Sequence, residues 1–360
     1  MSTTNLDPEK LEQYAQMVAG TAHQGLNCAL SFVGDQLGLY QALNEIAPAG
    51  SGELARAKGL SERWVREWLY QQACAGQIEY REESDEFYLS PEAAAVLVDD
   101  AHPAYLGGMF QAVVALYETI DELPESFRSG IGQSYEAKGG ACACGVERMS
   151  RQFQNHQLVQ NLLPMLDGVV ERLDAGVRVG DVGCGSATST VMMAKAFPKS
   201  QFFGYDNSRA AIKRASQAVS GAGVDNLQIL DPTHDPLPED GSFDFITTFD
   251  VIHDSTHPAE LIGAIRKSLT ADGTWLCADV IGKPTFAENL KDNPIAPLAY
   301  AFSVMVCMSA ALSVPGGAGL GTLGFHREKA REMTEAADFS RFRQLDYEGD
   351  IFNAYYEIRP

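Results

Sequence analysis

The 360-residue sequence predicts an α/β domain built on a mostly parallel sheet, with a smaller helical domain in front of it. Three observations support this prediction. A glycine turn follows an apolar strand pattern within residues 177–190, strand and helix patterns alternate from about residue 171, and two strand patterns follow one another near the C-terminus. Alternation is typical of a parallel sheet with helices on both faces. Two successive closing strands predict an antiparallel hairpin at one edge.

Seven strand patterns define the predicted sheet, and they divide the chain into three parts. The predicted strands are residues 177–182, 201–206, 226–230, 243–249, 274–280, 341–347 and 352–358. We expect a helical winged-helix domain over 1–100, a helical linker and lid over 101–170, and a cofactor-binding catalytic domain over 171–360.

The N-terminal part has the pattern of a winged helix. Apolar residues at helical spacing are followed by two short alternating segments, 78–81 and 87–89, which predict a two-stranded wing. Residues 21–100 contain five basic and thirteen acidic side chains. A DNA-binding surface needs the opposite charge. We therefore expect this domain to form a homodimer rather than to bind DNA.

Composition excludes several classes of function. The net charge of −21 opposes binding to nucleic acid or to an anionic membrane. The first residues lack the basic and apolar regions of a signal peptide, and seven scattered cysteines suit a reducing compartment, so we expect a cytoplasmic protein. The apolar segment 295–314 contains Pro297 and is followed by Pro315, which favours a buried helix over a membrane span. No metal is expected, because Cys142 and Cys144 have no matching second pair of ligands.

The turn after the first predicted strand is the main candidate for a cofactor site. Gly183 and Gly185 permit positive φ and close approach of the backbone to a ligand, and a helix begins just beyond them. A glycine turn between a strand and a helix N-terminus is typical of nucleotide binding. Asp181 lies two residues before the turn, where it would suit the amino group of a methionine tail. Thr188 stands where a dinucleotide-binding turn has its third glycine, so S-adenosylmethionine is favoured over NAD.

Acids at the ends of later strands complete the predicted cofactor site. Asp206 ends the second strand, where a carboxylate can accept both ribose hydroxyls. Asp231 ends the third strand and is a candidate for the adenine amino group, although a plain turn is an equal alternative. Asp250 ends the fourth strand, which is expected beside the first at the point where strand order reverses. We expect Asp250 at the methionine end of the cofactor.

The residues just after Asp250 are the candidates for catalysis. His253 follows the fourth strand and would face a substrate, and Asp254 would orient its ring. If the acceptor is a hydroxyl, His253 would remove its proton. If the acceptor is a thioether sulfur, there is no proton to remove and His253 would only position the substrate.

These motifs resemble those of class I S-adenosylmethionine-dependent methyltransferases with a winged-helix domain. The turn has the form D-x-G-x-G, with Ala187 where the family usually has a further glycine. A bacterial subfamily is similar in Phe249-Asp-Val-Ile-His-Asp254, Tyr300-Ala-Phe-Ser-Val-Met-Val-Cys307, Gly319-Leu-Gly321 and the terminal Arg359-Pro360. The resemblance implies a Rossmann-like catalytic domain, a small-molecule substrate, S-adenosylhomocysteine as product, and His253 as general base in the O-methyltransferases.

Within this subfamily the acidic composition favours the S-methyltransferase branch of dimethylsulfoniopropionate synthesis, which acts on 4-methylthio-2-hydroxybutyrate. The alternative is a small-molecule O-methyltransferase, and a more remote one is a cofactor-sensing winged-helix regulator. A substrate carboxylate would need a cation, for which Arg148, Arg151 and Lys138 are candidates. Tyr135, Tyr300 and Met305 are candidates for the wall of the substrate pocket.

Overall fold

A computed structural model describes residues 6–360, apart from the side chain of residue 152. The chain divides into two compact units. One comprises Met1–Ala115 and Cys144–Met149, and the other comprises Leu116–Ala143 and Ser150–Pro360. The predicted connecting part, residues 101–170, is thus shared between the two units rather than folding as a third body.

The first part of the chain is helical with one small hairpin, as predicted. Its elements are α1 (Pro8–Leu37), α2 (Leu39–Ile46), α3 (Ser51–Lys58), α4 (Glu62–Cys74), β1 (Glu79–Arg81), β2 (Glu86–Tyr88), α5 (Pro91–Leu97) and α6 (Gly107–Tyr117). Strands β1 and β2 pair antiparallel and form the wing. Leu43, Leu54, Leu69 and Phe87 are buried together, so the apolar faces of the helices and the wing share one core.

The connecting part contains α7 (Leu123–Ser129), α8 (Gly139–Phe153) and α9 (Val169–Ala175). Short 3₁₀ turns lie at Ile120–Glu122, Tyr135–Lys138 and Leu163–Met165, and a π-helical segment spans Gln154–Leu162. Residues 130–134 form a loop that leads from α7 into the 3₁₀ turn at Tyr135.

The catalytic domain alternates strands and helices. Its elements are β3 (Arg178–Val182), α10 (Thr188–Ala196), β4 (Gln201–Tyr205), α11 (Arg209–Ala222), β5 (Leu227–Leu230), β6 (Phe243–Phe249), α12 (Pro258–Ser268), β7 (Leu269–Val280), α13 (Phe286–Asp292), α14 (Ala296–Phe302), α15 (Met308–Ala311), α16 (Arg327–Ala336), β8 (Arg341–Gln344) and β9 (Asn353–Arg359). A π-helical segment, Ser303–Cys307, joins α14 to α15.

The sheet has seven strands in the order β5-β4-β3-β6-β7-β9-β8. Strands β3 to β7 are parallel, and β9 pairs antiparallel with β7 and with β8. This confirms the mostly parallel sheet and its antiparallel edge hairpin. Residues such as Val179, Phe245, Ile246 and Trp275 are buried on one face or the other, as expected for a sheet covered on both sides. Strand order reverses between β3 and β6, and ligands bind at such a reversal in α/β sheets.

The apolar segment 295–314 forms short helices in the catalytic domain. It consists of α14, the π-helical segment and α15, with Ala299, Val306 and Ala311 buried. Over residues 6–360, no helix is both long and apolar enough to cross a membrane.

Candidate active site

Several acids and the glycine turn meet at one edge of the sheet. Gly183 follows β3, Asp206 follows β4, Asp231 follows β5 and Asp250 follows β6. Because the carboxyl ends of parallel strands lie at the same edge, these residues line one side of the domain. Asp279, the penultimate residue of β7, lies at this edge as well. Asp279 is not among the residues that the sequence predicts for the site.

The two glycines of the turn have different surroundings. Both have positive φ, 75° at Gly183 and 57° at Gly185. A Cβ on Gly183 would lie 2.4 Å from Cγ2 of Val251, whereas a Cβ on Gly185 would meet no atom within 4 Å. Ala187 also has positive φ, 61°, which explains why a glycine suits that position. The open space beside Gly185 is a cradle that a ligand can enter.

Alanine at each glycine should therefore give different defects. Gly183→Ala adds a steric clash to an unfavourable φ and should lower the free energy of unfolding by about 2–4 kcal/mol. Gly185→Ala should cost only about 1–2 kcal/mol in stability. Because the sequence predicts that S-adenosylmethionine binds in this cradle, the added methyl group is expected to weaken its binding at least ~10-fold. Urea unfolding and calorimetry separate the two effects, and equal stability losses would contradict this assignment.

Asp181 lies under the turn rather than in the cradle. Its side chain is buried and accepts hydrogen bonds from the hydroxyls of Ser189, Thr190 and Thr247. Burial raises the pKa of the Asp181 carboxyl, although these hydroxyls oppose the shift. Asp181 thus ties β3 to the start of α10 and to β6. This differs from the prediction that it faces the amino group of a methionine tail.

The carboxylates of Asp206 and Asp231 both accept hydrogen bonds from nearby backbone N–H groups. Asp206 accepts from the backbone N–H of Gly185 at 2.9 Å and of Ser208 at 2.8 Å, so it shapes the glycine turn directly. Asp231 accepts from the N–H and hydroxyl of Thr233, at 2.9 and 2.6 Å, which is a side-chain turn of the kind that Asp favours. These hydrogen bonds lower the pKa of Asp231.

Asp250 has a constrained backbone and a perturbed carboxyl group. Its φ is 57°, and its Oδ2 accepts from Nδ2 of Asn353 at 3.1 Å. The side chain is accessible to solvent, yet the surrounding protein removes much of its hydration. This desolvation, together with the charge of Asp279, raises the pKa of Asp250 to about 7. A non-glycine residue held at positive φ is common at functional sites.

His253 is buried, and its partner is Asp279 rather than Asp254. Nδ1 of His253 lies 2.6 Å from Oδ1 of Asp279, and both side chains are at most 3% exposed. Oδ1 of Asp279 also accepts from the N–H of Val280, while its Oδ2 is buried and has no hydrogen-bond partner among the described residues. The prediction that Asp254 orients the ring is therefore corrected, because the neighbouring strand β7 supplies the carboxylate.

The electrostatics of this group favour an imidazolium. Burial by itself lowers the pKa of His253, but the Asp279 carboxylate and the Cys307 thiol, which interacts with the same ring, outweigh it. The pKa of His253 therefore lies well above its usual value. Burial raises the pKa of Asp254 to about 7, although the charge of His253 opposes the shift.

Asp250, His253 and Asp279 could also hold a cation. One ligand atom from each lies within 4.8 Å of the others. Carboxylate and imidazole are common metal ligands. The same two carboxylates and imidazole could also face an organic cation at the carboxyl edge of the sheet.

The predicted pocket residues occupy different environments. Tyr135 is enclosed by protein, and burial raises its pKa, to which the charges of Cys142, Asp254 and Cys307 add. Met305 is half-buried in the same π-helical segment as Cys307. Tyr300 is 37% exposed and its ring packs against that of Phe286, with centroids 5.9 Å apart.

The predicted substrate cations also differ. Arg148 donates to both carboxylate oxygens of Asp35, at 2.8 and 2.9 Å, and to the hydroxyl of Tyr105 at 2.6 Å. These contacts lie within the first unit, and the hydrogen bonds with Asp35 raise the pKa of Arg148 further. Its charge is already neutralised, so it is a structural residue rather than the predicted substrate ligand. Arg151 is half-buried in α8.

Family models match both parts of the chain. Residues 173–312 match the model described as "Methyltransferase domain", and residues 25–99 match "Rv2258c-like winged HTH domain". Among curated proteins, polyketide synthase ThaQ of Burkholderia thailandensis is 29% identical over 107 residues, which are 29% of this chain and 5% of that protein. The chain therefore aligns with only a small part of that relative's length.

Solved structures resemble the whole chain at low identity. A protein of Nostoc punctiforme PCC 73102, assigned as an O-methyltransferase, is 14% identical with a TM-score of 0.74, covering 96% of this chain and 99% of that chain. Mitomycin 7-O-methyltransferase MmcR is 17% identical with a TM-score of 0.68, covering 98% and 99%. Human N-acetylserotonin methyltransferase, solved with S-adenosylmethionine, is 17% identical with a TM-score of 0.67, covering 100% and 99%.

The sheet order and the matched domains define the class of protein. The fold is that of class I methyltransferases, with a winged helix-turn-helix domain at the N-terminus. The protein is an S-adenosylmethionine-dependent methyltransferase. Both statements confirm what the sequence predicts.

Proposed function

We propose that the protein transfers a methyl group from S-adenosylmethionine to a hydroxyl of a small molecule. The observation that carries this proposal is the buried contact of 2.6 Å between Nδ1 of His253 and Asp279, at the strand-order reversal. A histidine held in this way is suited to general-base catalysis. The names of the similar structures, among them mitomycin 7-O-methyltransferase, agree with transfer to oxygen.

The residues at the sheet edge fit the cofactor. The open cradle at Gly185 offers a close approach to backbone, and we propose that Gly183 and Gly185 lie against the methionine portion of the cofactor. Asp206 is proposed to accept the ribose hydroxyls and Asp231 to contact the adenine. Asp250 is proposed to face the cationic methionine end. When bound, the cofactor supplies an electrophilic methyl group on a sulfonium.

His253 has one task in this proposal. When the ring is neutral, Nδ1–H donates to Asp279 and the lone pair of Nε2 is available to an acceptor hydroxyl. Because the Asp279 carboxylate raises the pKa of His253, the neutral ring is reached only as the pH rises, and the rate of methylation should rise with it. Nε2 would take the proton of the acceptor hydroxyl as its oxygen receives the methyl group that bound S-adenosylmethionine would supply. Asp279 then stabilises the imidazolium.

The acidic site should distinguish the charged cofactor from its neutral-sulfur product. The pKa of Asp250 and that of Asp254 are both raised to about 7, so both carboxyls lose their protons as the pH rises from 6 to 8. S-adenosylmethionine carries a sulfonium charge that S-adenosylhomocysteine lacks. Its affinity advantage over the product should therefore grow about 3- to 10-fold over this range. Calorimetry at several pH values measures this ratio, and a ratio independent of pH would contradict the proposal.

The acceptor atom is tested with labelled cofactor. S-adenosylmethionine with a deuterated methyl group is incubated with phenols, aliphatic alcohols and 4-methylthio-2-hydroxybutyrate in the presence of EDTA, and mass spectrometry locates the label. The proposal predicts label on oxygen and no requirement for an added metal ion. Label only on a thioether sulfur, or a requirement for Mg²⁺ or Mn²⁺, would overturn it.

The same experiment also tests the S-methyltransferase activity that the sequence predicts. A thioether has no proton to lose, so the buried pair His253–Asp279 would have no role as a base. The names of the similar structures include O-methyltransferases. Methylation of 4-methylthio-2-hydroxybutyrate therefore remains a prediction from sequence, and transfer to oxygen is the better-supported function.

A homodimer through the N-terminal part also remains a proposal. Helix α1 exposes large apolar side chains along much of its length, including Leu11, Tyr14, Met17 and Leu26. An exposed apolar stripe of this kind is typical of a protein–protein interface. Light scattering of the purified protein distinguishes a dimer from a monomer.

A further inference from the structure

Lys138 is a buried cation with an incomplete set of partners. Its side chain is only 5% exposed, at the end of the 3₁₀ turn Tyr135–Lys138. Nζ donates to Oε1 of Gln133, and Nε2 of Gln133 donates to Oε2 of Glu122 at 2.5 Å. Among residues 6–360, Nζ of Lys138 has the Gln133 amide oxygen as its hydrogen-bond partner and forms no ion pair, and the charge of Glu122 acts on it from beyond this amide. Burial lowers the pKa of Lys138.

This arrangement is energetically unusual for a lysine. Lysine is rarely buried without a charged partner, because a buried charge is costly unless it is paired. Here an amide separates Lys138 from Glu122, and Glu122 itself is exposed to solvent. An anionic group on a ligand would supply the missing partner and make a charge-assisted hydrogen bond.

The turn that carries Lys138 is packed against the helical segment beside His253. The N–H of Gln133 donates to Oγ of Ser309 at 2.8 Å, and that of Gly132 donates to the carbonyl of Leu312 at 3.0 Å. A Cβ on Gly132 would lie 1.9 Å from the Ser309 carbonyl oxygen, so only glycine permits this contact. The glycine at position 132 therefore specifies the close contact between this loop and Ser309.

Electrostatic contacts link Lys138 to the proposed reaction centre. Cys142, one helical turn beyond Lys138, interacts with both Lys138 and Cys307, and Cys307 interacts with the ring of His253. Tyr135 precedes Lys138 by three residues and lies near Asp254. The 3₁₀ turn Tyr135–Lys138 also contacts the π-helical segment Ser303–Cys307, and Cys307 of this segment interacts with the ring of His253, all within one compact unit.

We propose that Lys138 binds a carboxylate of the acceptor, so that the substrates are hydroxylated carboxylic acids. The proposal rests on the proposed O-methyltransferase function and specifies its substrate class. Two of the cations that the sequence offers differ in their partners: Arg148 is neutralised by Asp35, whereas Lys138 donates to the side-chain amide of Gln133. The carboxylate occupies the side of Lys138 not covered by Gln133, and the hydroxyl points to His253.

Matched acid and ester pairs test the proposal in turnover. The acceptors are 4-hydroxybenzoate, ferulate and caffeate, each compared with its methyl ester, in the wild type, Lys138→Met, Lys138→Arg and the exposed-site control Lys213→Met. The wild type should prefer the acids by about 10- to 100-fold in kcat/KM. Lys138→Met should remove this preference and leave the esters unaffected, while Lys138→Arg should retain part of it. Equal losses on acids and esters would mean that Lys138 is structural and would overturn the proposal.

A binding experiment separates this proposal from the proposed reaction. The same acids and esters are titrated into the protein saturated with S-adenosylhomocysteine, and calorimetry reports binding without turnover. Acids should bind at least ~10-fold more tightly than esters in the wild type and equally in Lys138→Met. If the acids bind more tightly but no oxygen is methylated, the proposed O-methylation is wrong and the proposed anion site at Lys138 is supported. If acids and esters bind equally to the wild type, the anion site is wrong whatever the reaction.

Discussion

Replacement of His253 by alanine is expected to reduce kcat for methylation of a hydroxyl by about 10²- to 10⁴-fold, the usual contribution of a general base. His253 is the buried ring at the carboxyl edge of the sheet that is held by a carboxylate, and the proposed reaction requires a proton acceptor there. Binding of S-adenosylmethionine should change little, because the glycine turn and Asp206 do not depend on His253. Stopped assays for S-adenosylhomocysteine measure the rate, and calorimetry measures the binding.

His257→Ala provides the matched control for this experiment. His257 lies four residues further along, is exposed and precedes α12 without donating or accepting a side-chain capping bond. Its replacement should leave kcat within about twofold of the wild type. Equal losses in the two variants, or an active His253→Ala variant, would contradict the role of His253 as base.

Replacement of Asp279 by asparagine is expected to cause the second large loss of kcat. The Asp279 carboxylate stabilises the protonated ring and holds its Nδ1–H, so an amide at this position disturbs both. We expect kcat to fall by about 10²-fold or more. The pKa of His253 should also fall, so the acid limb of the pH–rate profile should move to lower pH. The profile is measured for the remaining activity between pH 5 and 9.

Asp254→Asn is the control that distinguishes the two candidate partners. Asp254 does not hydrogen-bond to His253 in the structure, so this variant should keep the position of the acid limb to within a few tenths of a pH unit. A larger shift in Asp254→Asn than in Asp279→Asn would restore the sequence-based assignment and contradict the structural one.

The same pair predicts how stability depends on pH. The pKa of His253 is higher in the folded protein than its ordinary value, so protonation of the ring favours folding. This contribution is complete below the unfolded-state pKa, about 6.5, and is lost as the pH rises through the folded-state pKa. The raised pKa values of Asp250 and Asp254 act in the same direction, because both groups favour the folded state when protonated.

Local patterns were sufficient to predict the sheet. Strands β3 to β7 read as short apolar runs bounded by glycine, proline or acidic residues, and their alternation with helices specified parallel pairing. The closing hairpin followed from two strand patterns without a helix between them. The glycine turn was predictable because positive φ restricts residue type at Gly183 and Gly185.

Contacts between residues far apart in sequence explain why local patterns predicted neither Asp279 as the partner of His253 nor the pairing of Arg148 with Asp35. Asp279 lies 26 residues beyond His253, and only the parallel register of β6 and β7 brings them together. Asp279 is an acid near the carboxyl end of a predicted strand, the same signal that identified Asp206 and Asp250, so this rule could have found it. Arg148 and Asp35 are 113 residues apart, and no local signal predicts that Arg148 is already paired.

Local sequence patterns also could not predict where the side chain of Asp181 points. Its position two residues before Gly183 is compatible with a ligand contact or with a structural role. The outcome depends on three hydroxyls, two from α10 and one from β6, that surround it in the folded protein. Three acceptor contacts satisfy a buried carboxylate better than an open cleft would.

The measurement that tests the central claim most directly is a comparison of phenols of different acidity in the wild type and His253→Ala. A phenol that is already ionised at the assay pH, such as a nitrophenol, has no proton to transfer and needs no base. If His253 is the base, the defect of His253→Ala should be about 10²-fold or more on a neutral phenol and should nearly vanish on the ionised one. An equal defect on both acceptors would show that His253 acts only in positioning and would contradict the account.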